Sequence, residues 1–126
     1  MYNQASTFKL IPRDAPINNR AKLDTGTHCN YKCDFCYYKT QLDVVTNLDV
    51  IKERIDYLVE CGITEVDLSG GESSIHKEWF DILDYCTDKG LYISCLSNGF
   101  KFAKKEFIQK SYNHGLREIL FSVHGY

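Results

Sequence analysis

The sequence of 126 residues has only two prolines, no long apolar run and no excess of positive charge, and these absences exclude several classes of protein. No apolar stretch approaches the roughly 18 residues that a membrane-spanning helix needs. The formal net charge of -2 leaves no basic surface for nucleic acid or an anionic membrane. The first residues show neither the basic nor the apolar region of a signal peptide. We therefore expect a cytoplasmic protein with no membrane or nucleic-acid partner.

The order of polar and apolar segments predicts an α/β fold. Residues 1–20 are polar and contain both prolines, so we interpret them as an irregular N-terminal extension. Residues 21–126 form the core domain, with expected strands over 21–27, 63–68, 91–96 and 116–123. Helices are expected over 48–61, 77–89 and 103–113, and each is ended by a glycine, which is Gly62, Gly90 or Gly115. In the first helix, one buried stripe is predicted from apolar residues at helical spacing, namely Leu48, Ile51, Ile55, Leu58 and Val59. This alternation favours right-handed βαβ units and a parallel sheet. The prediction is three βα units plus a fourth strand.

Three of the six cysteines, Cys29, Cys33 and Cys36, share one short loop with the spacing CxxxCxxC. Thiols stay reduced in the cytoplasm, where cysteines grouped this closely more often bind metal than form disulfides. Three thiolates can hold a compact metal centre and leave one coordination position open for chemistry. A structural site is normally closed by four protein ligands instead. The cysteine loop is therefore the leading candidate for a redox centre.

Polar segments lie at the carboxyl ends of all four expected strands. They are the cysteine loop, Ser69-Gly70-Gly71-Glu72, Ser97-Asn98-Gly99 and Ser122-Val123-His124-Gly125. The carboxyl ends of parallel strands meet at one edge of the sheet, and the active sites of such folds form there. We therefore expect these four segments to lie together.

At these residues the sequence resembles the radical S-adenosylmethionine (radical SAM) enzymes. The cysteine loop, with the aromatic Phe35 before its last cysteine, matches the cluster motif of that family. Gly70-Gly71-Glu72 matches the Gly-Gly-Glu element that follows the family's second strand. The resemblance extends from about residue 21 to residue 126 and rests on two motifs about 40 residues apart. It implies a partial parallel (βα) barrel.

The resemblance also implies the cofactors and the residues that bind them. Cys29, Cys33 and Cys36 would hold three irons of a 4Fe–4S cluster, and S-adenosylmethionine would chelate the fourth. The cofactor-binding residues would be Gly70, Gly71, Glu72, Phe35, Ser122 and His124. The glycines would let the backbone approach the methionine end, where a Cβ would obstruct it. Glu72 would contact the cationic amino group or support its loop, and Ser122 and His124, at the end of strand four, would contact ribose or substrate.

The chemistry implied by the resemblance is radical formation. One-electron reduction would cleave the sulfonium to a 5′-deoxyadenosyl radical, which abstracts hydrogen from a small-molecule or peptide substrate. The expected electron donor is a flavodoxin or a ferredoxin. The family's barrel has six βα units, whereas this sequence stops at strand four, so we expect a fragment or one half of a split or oligomeric enzyme. Ser73 also stands where the family usually has proline.

Other interpretations of the same residues remain open. A non-catalytic zinc or iron–sulfur module could use the cysteines, with His28 or a distant residue as fourth zinc ligand. An electron-transfer centre would need a fourth cysteine, such as Cys61 or Cys95. Gly70-Gly71-Glu72 alone could be a tight turn before a helix.

The remaining notable residues are expected to be structural. Cys61, Cys86 and Cys95 fit buried positions, because an unmodified cysteine is among the most buried residue types. We expect Trp79 in the core, since it recurs at helical spacing with other apolar residues. His76 and His114 are near helix ends and are predicted to be surface residues.

Overall fold

The computed structural model describes residues 19–30 and 44–122 and contains one four-stranded parallel sheet. The elements are β1 (Arg20–Asp24), α1 (Leu48–Glu60), β2 (Glu65–Ser69), α2 (Trp79–Asp88), β3 (Tyr92–Ser97), α3 (Lys105–Asn113) and β4 (Leu116–Phe121). The strands lie in the order β1-β2-β3-β4, and every neighbouring pair is parallel. The predicted α/β fold, with three βα units plus a fourth strand, is confirmed.

The observed boundaries differ from the predicted ones where local hydrogen bonds replace regular structure. β1 ends at Asp24 rather than at residue 27, because Gly26 forms an antiparallel bridge with Val45. α2 begins at Trp79 rather than at residue 77, after a turn that the backbone of His76 closes. α3 begins two residues later than predicted, since Lys101–Ala103 forms a short 3₁₀ helix.

The helices pack on one face of the sheet and enclose the apolar core. The core includes Ile51 and Ile55 of α1, which confirms the buried stripe predicted for that helix. Trp79 is 2% exposed, as predicted, and its indole Nε1–H donates to Ser111 Oγ at 3.0 Å, linking α2 to α3. Full burial of an aliphatic side chain such as Ile51 or Ile55 stabilises the folded protein by about 1.5–3 kcal/mol. The helix periodicity therefore identified the core correctly.

Two of the three cysteines outside the loop are in the core, and the third is not. Cys86 and Cys95 are buried as predicted, at 0% and 1% exposure. Cys61 is exposed, so its predicted burial is wrong. It lies one residue beyond the last turn of α1, where Gly62 adopts φ +86° and turns the chain back toward β2. A residue in that turn has left the buried face of the helix.

The sheet face opposite the helices carries a charged and polar network at the amino-terminal end of the strands. Arg20 of β1 donates to both carboxylate oxygens of Asp67 on β2, at 2.8 and 2.5 Å. Its guanidinium also donates to Ser94 on β3 at 3.0 Å and lies 3.9 Å from Glu118 on β4. One arginine therefore joins all four strands on this face.

No helix in the described parts of the chain is long and apolar enough to cross a bilayer.

This network predicts a pH-dependent contribution to stability. The hydrogen bond from Arg20 is the main cause that holds the pKa of Asp67 below its usual value of 3.8. A carboxyl group whose pKa falls on folding stabilises the protein above its unfolded pKa, and this stabilisation is lost as the pH falls through the folded pKa. Asp67→Asn should lower the free energy of unfolding by about 1 kcal/mol at pH 7, because the pair is partly exposed.

Urea denaturation at about pH 7 and about pH 2 tests this expectation, since the effect of Asp67→Asn should be absent at the lower pH. Asp88→Asn is the matched control, because Asp88 is exposed at the end of α2. A loss of equal size for Asp67→Asn at both pH values would contradict an ionic origin.

Candidate active site

The segments that follow β1 and β2 are joined along their backbones at the carboxyl edge of the sheet. Beyond the last strand pair, Thr25 N–H donates to Ser69 C=O at 3.0 Å. Gly71 N–H then donates to Gly26 C=O at 2.9 Å, and Glu72 N–H donates to His28 C=O at 2.7 Å. The Gly-Gly-Glu segment therefore runs alongside the residues that lead directly into Cys29.

The two glycines of this segment are required by that close approach. A Cβ on Gly71 would overlap the carbonyl group of His28, and a Cβ on Gly70 would overlap the carbonyl oxygen of Gly26. Gly70 also has φ +127°, a backbone conformation that side-chain-bearing residues rarely adopt. The close contact between the loops after β1 and β2 therefore requires glycine at both positions. Their approach to the methionine end of a cofactor stays a prediction.

The carboxylate of Glu72 is buried, at 1% exposure, and it binds the start of the loop after β3. Oε1 accepts the backbone N–H of Asn98 at 2.7 Å. Oε2 accepts the hydroxyl groups of Ser97, at 2.8 Å, and of Ser74. A carboxylate removed from water is tolerated only when donors replace its hydration, and three donors do so here. Glu72 therefore links the loop after β2 to the loop after β3, and its contact with the amino group of a cofactor stays a prediction.

Asn98 extends this link to the cysteine loop. Its Nδ2 lies 3.8 Å from Cys29 Sγ and donates to Asn30 Oδ1 at 2.9 Å. The first cysteine of the motif therefore lies beside the loops after β2 and β3, as the strand order predicted. Cys33, Cys36, Phe35 and His124 lie outside the described residues.

The two ends of the cysteine loop are held together where they meet the sheet. Thr27 N–H donates to Val44 C=O at 2.8 Å, and Thr46 N–H donates to Thr25 C=O at 3.2 Å. His76 Nε2 lies 2.8 Å from the carbonyl oxygen of Thr46. These contacts fix the residues before and after the loop relative to the Gly-Gly-Glu segment.

His76 is a site residue whose position the sequence did not predict. It is 3% exposed, so its predicted place on the surface is wrong. Its Nδ1 accepts the N–H of Glu78 at 3.0 Å, so the ring proton lies on Nε2 and is donated to Thr46. The ring also packs edge-on against His28, with centroids 5.5 Å apart. The only sequence signal for the place of His76 at this site was its proximity to the Gly-Gly-Glu motif.

The segment after β4 reaches the same edge. Ser122 N–H donates to Ser97 C=O at 2.8 Å, and Ser122 is exposed. Three of the four polar segments are thus connected through Ser97 and Glu72, and Asn98 connects them to the fourth. The described parts of all four segments, which for the first and last are Cys29 and Ser122, lie at one edge of the sheet as predicted.

The three cysteines outside the loop are either buried, which disfavours their thiolate form, or lie at the opposite edge of the sheet. Burial raises the pKa of the Cys86 thiol to about 12 and raises that of Cys95 even further. A metal ligand must be a thiolate, which burial in apolar surroundings disfavours. Cys61 follows α1 and precedes β2, which places it at the opposite, amino-terminal edge of the sheet. Among the described residues, two buried thiols and one thiol at the opposite edge are therefore unfavourable as a fourth ligand.

Comparisons with known proteins agree with this arrangement. The model of the radical SAM superfamily matches residues 23–126. The antilisterial bacteriocin subtilosin biosynthesis protein AlbA of Bacillus subtilis (strain 168) is 27% identical over 108 residues, covering 82% of this chain and 24% of AlbA. The S-adenosylmethionine-dependent nucleotide dehydratase RSAD2 of Siniperca chuatsi is 32% identical over 119 residues, covering 82% of this chain and 34% of RSAD2.

A solved structure shows the same fold. The crystal structure of BtrN in complex with AdoMet and 2-DOIA matches with a TM-score of 0.74 at 14% sequence identity, covering 88% of this chain and 48% of BtrN. The chain thus spans a quarter to a third of the length of the two curated relatives and about half of BtrN.

The contact between Gly71 and His28 predicts that a single methyl group there disturbs the cysteine loop. Gly71→Ala should lower the free energy of unfolding by about 1–3 kcal/mol, because backbone must move to relieve the overlap. It should also reduce the iron retained after anaerobic reconstitution, since Cys29 follows the displaced carbonyl group.

Gly90→Ala is the matched control for this substitution. Gly90 has φ +78°, and no atom lies within 4 Å of the position that a Cβ would take, so alanine should cost about 1–2 kcal/mol through backbone strain alone. Iron content and urea denaturation of both variants separate the two effects. Equal iron retention in the two variants would contradict the role given to Gly71.

Proposed function

We propose that this chain, which belongs to the radical SAM superfamily, is the cofactor-binding core of an enzyme that generates a radical from S-adenosylmethionine. The cofactors of this family are a 4Fe–4S cluster and S-adenosylmethionine. AlbA and RSAD2 are enzymes of this family, and this chain covers only part of each. The activity of the whole protein is therefore part of the proposal.

The distribution of the six cysteines is the observation that carries this proposal. Cys29 lies at the carboxyl edge of the sheet, and Cys33 and Cys36 follow it at the family's spacing. The other three cysteines are buried in the core or lie at the opposite edge. Three cysteine ligands without a fourth leave one iron of a 4Fe–4S cluster open, which suits a cofactor-binding cluster and not an electron-transfer centre.

The residues at the edge suit the remaining parts of such a site. When bound, the cluster and S-adenosylmethionine supply one-electron reductive cleavage of the sulfonium to a 5′-deoxyadenosyl radical. Cys29, Cys33 and Cys36 would hold the irons, while Glu72 fixes the β3 loop beside Cys29. We also place Gly70, Gly71, Phe35, Ser122 and His124 at the cofactor, of which Ser122 is exposed at the correct edge.

The substrate is proposed at the level of a small molecule or a peptide, and the electron donor as a flavodoxin or a ferredoxin. The relatives include both a bacteriocin biosynthesis protein and a nucleotide dehydratase. The shared part of these proteins is the part that this chain covers. It follows that substrate choice depends on residues other than the shared loops.

Anaerobic reconstitution with iron and sulfide, followed by electron paramagnetic resonance, tests the proposal. The reduced protein should give a 4Fe–4S signal that changes when S-adenosylmethionine is added, because the cofactor occupies the open iron. A cluster signal that the cofactor leaves unchanged would contradict an open iron. Zinc binding in place of any cluster would favour the structural zinc site instead.

Cys33→Ala should abolish cluster binding, because it removes one of only three ligands. The measurements are iron and sulfide content together with the visible absorbance of the reconstituted protein. Cys61→Ala is the matched control and should retain the cluster, since Cys61 is exposed at the far edge of the sheet. Full iron content in Cys33→Ala would refute the assignment.

Glu72→Ala should spare the cluster and weaken S-adenosylmethionine binding. The substitution leaves Asn98 N–H and two hydroxyl groups without their acceptor, so the β3 loop loses its attachment. Loss of one hydrogen bond to a charged group costs about 1.5–3 kcal/mol, so about tenfold more cofactor should be needed to change the resonance signal.

Glu60→Ala is the control for Glu72→Ala, because Glu60 is exposed at the end of α1. Titration of each reduced protein with S-adenosylmethionine gives the comparison. An unchanged midpoint for Glu72→Ala would exclude Glu72 from the cofactor site.

A further inference from the structure

The loop after β3, Ser97-Asn98-Gly99, is held in one conformation by hydrogen bonds within the loop and to Glu72. Ser97 Oγ donates to Glu72 and accepts Gly99 N–H at 2.9 Å. Asn98 N–H donates to the same carboxylate. Gly99 has φ +87°, which lets the chain turn back immediately after Asn98. The backbone position of Asn98 is therefore fixed before any cofactor binds.

The side-chain amide of Asn98 is also fixed in orientation. Its Oδ1 accepts the backbone N–H of Phe100 at 3.0 Å. With the oxygen engaged there, the Nδ2 amino group must point the other way, toward Cys29 Sγ and Asn30 Oδ1. One amide hydrogen serves Asn30, and the second serves the sulfur. The hydrogen bond to Cys29 thus follows from a network that identifies which end of the amide is the donor.

We propose that Asn98 is a positioning residue that donates a hydrogen bond to the Cys29 thiolate and raises the reduction potential of the cluster. This inference rests on the proposed function, in which Cys29 is a cluster ligand. Hydrogen bonds to ligand sulfurs are one of the determinants of cluster potential. Reduction adds one electron from an external low-potential donor, and the N–H dipole stabilises this added negative charge without transferring a proton.

The position of the donor makes this effect specific to Asn98. Cys29 is only partly buried, and Asn98 approaches its sulfur from the loop that Glu72 anchors. The approach comes from outside the cysteine loop itself. A change at Asn98 can therefore alter the electrostatics at Cys29 without changing any of the three ligands.

Two substitutions that leave the net charge unchanged test the proposal by redox titration. Asn98→Ala and Asn98→Leu both remove the donor, the first leaving space for water and the second filling it. Each reconstituted protein is titrated with dithionite in the presence of redox mediators. The fraction of reduced cluster is followed by electron paramagnetic resonance. Asn113→Ala is the control, because Asn113 is exposed at the end of α3.

Both Asn98 variants should retain the iron content of the wild type and be harder to reduce. The equilibrium constant for one-electron reduction should fall on the order of tenfold, which corresponds to a shift of about 59 mV toward lower potential. The leucine variant should shift at least as far as the alanine variant, because no water can replace the donor. Asn113→Ala should titrate as the wild type does.

Two results would overturn the inference. One is a wild-type midpoint in both Asn98 variants with full clusters. The other is loss of the cluster from both variants while thermal unfolding is unchanged, since a residue that only tunes the potential is dispensable for holding iron. Failure of the wild type itself to take up a cluster would instead reject the proposed function, so the two failures are distinguishable.

Discussion

The buried carboxylate of Glu72 is the interaction on which the rest of the site depends. Its backbone N–H binds the carbonyl group of His28, and its side chain binds Asn98 N–H and two hydroxyl groups. One residue thereby fixes the loop before it in the sheet and the loop after it. Because a charge at 1% exposure is costly without donors, the surrounding loops must keep the conformation that supplies those donors. Burial of this carboxylate therefore restricts the conformations that the loops at this edge of the sheet can adopt.

The Gly-Gly-Glu motif has a complete explanation in this geometry. Gly70 and Gly71 have no side chains because the carbonyl groups of Gly26 and His28 occupy that space. Once the two backbones are in contact, the next side chain reaches the loop after β3, where Glu72 finds its donors. The motif therefore encodes contact with the loop of the first strand on one side and the loop of the third on the other. Any contact with a cofactor is made in addition to this structural requirement.

The sequence predicted those features that depend on local patterns. Apolar periodicity placed α1 and its buried Ile51 and Ile55, and glycines marked the ends of the helices. The parallel sheet then implied that the polar segments meet, because strand order alone fixes which ends share an edge. These predictions needed no knowledge of side-chain contacts.

The features that the sequence did not predict depend on tertiary contacts. His76 is buried because the chain returning from the cysteine loop passes over it at Thr46, a residue 30 positions away. Asn98 meets Cys29 only because β3 lies beyond β2 in the sheet. Cys61 is exposed because α1 ends one residue before it. Each of these outcomes depends on where another element ends, which single-sequence patterns locate to within a few residues only.

Within the described residues, the contacts that connect Cys29 to the sheet edge come from the first three βα units. The glycine segment, Glu72 and Asn98 connect β1, β2 and β3, while β4 adds the hydrogen bond from Ser122 to Ser97. This support for Cys29 is therefore in place before the chain reaches its fourth strand. Under the proposed function, residues that contact a substrate can then vary in other parts of a barrel without disturbing Cys29. A fixed environment for this cysteine, combined with variable surroundings, lets one fold direct the same chemistry to different substrates.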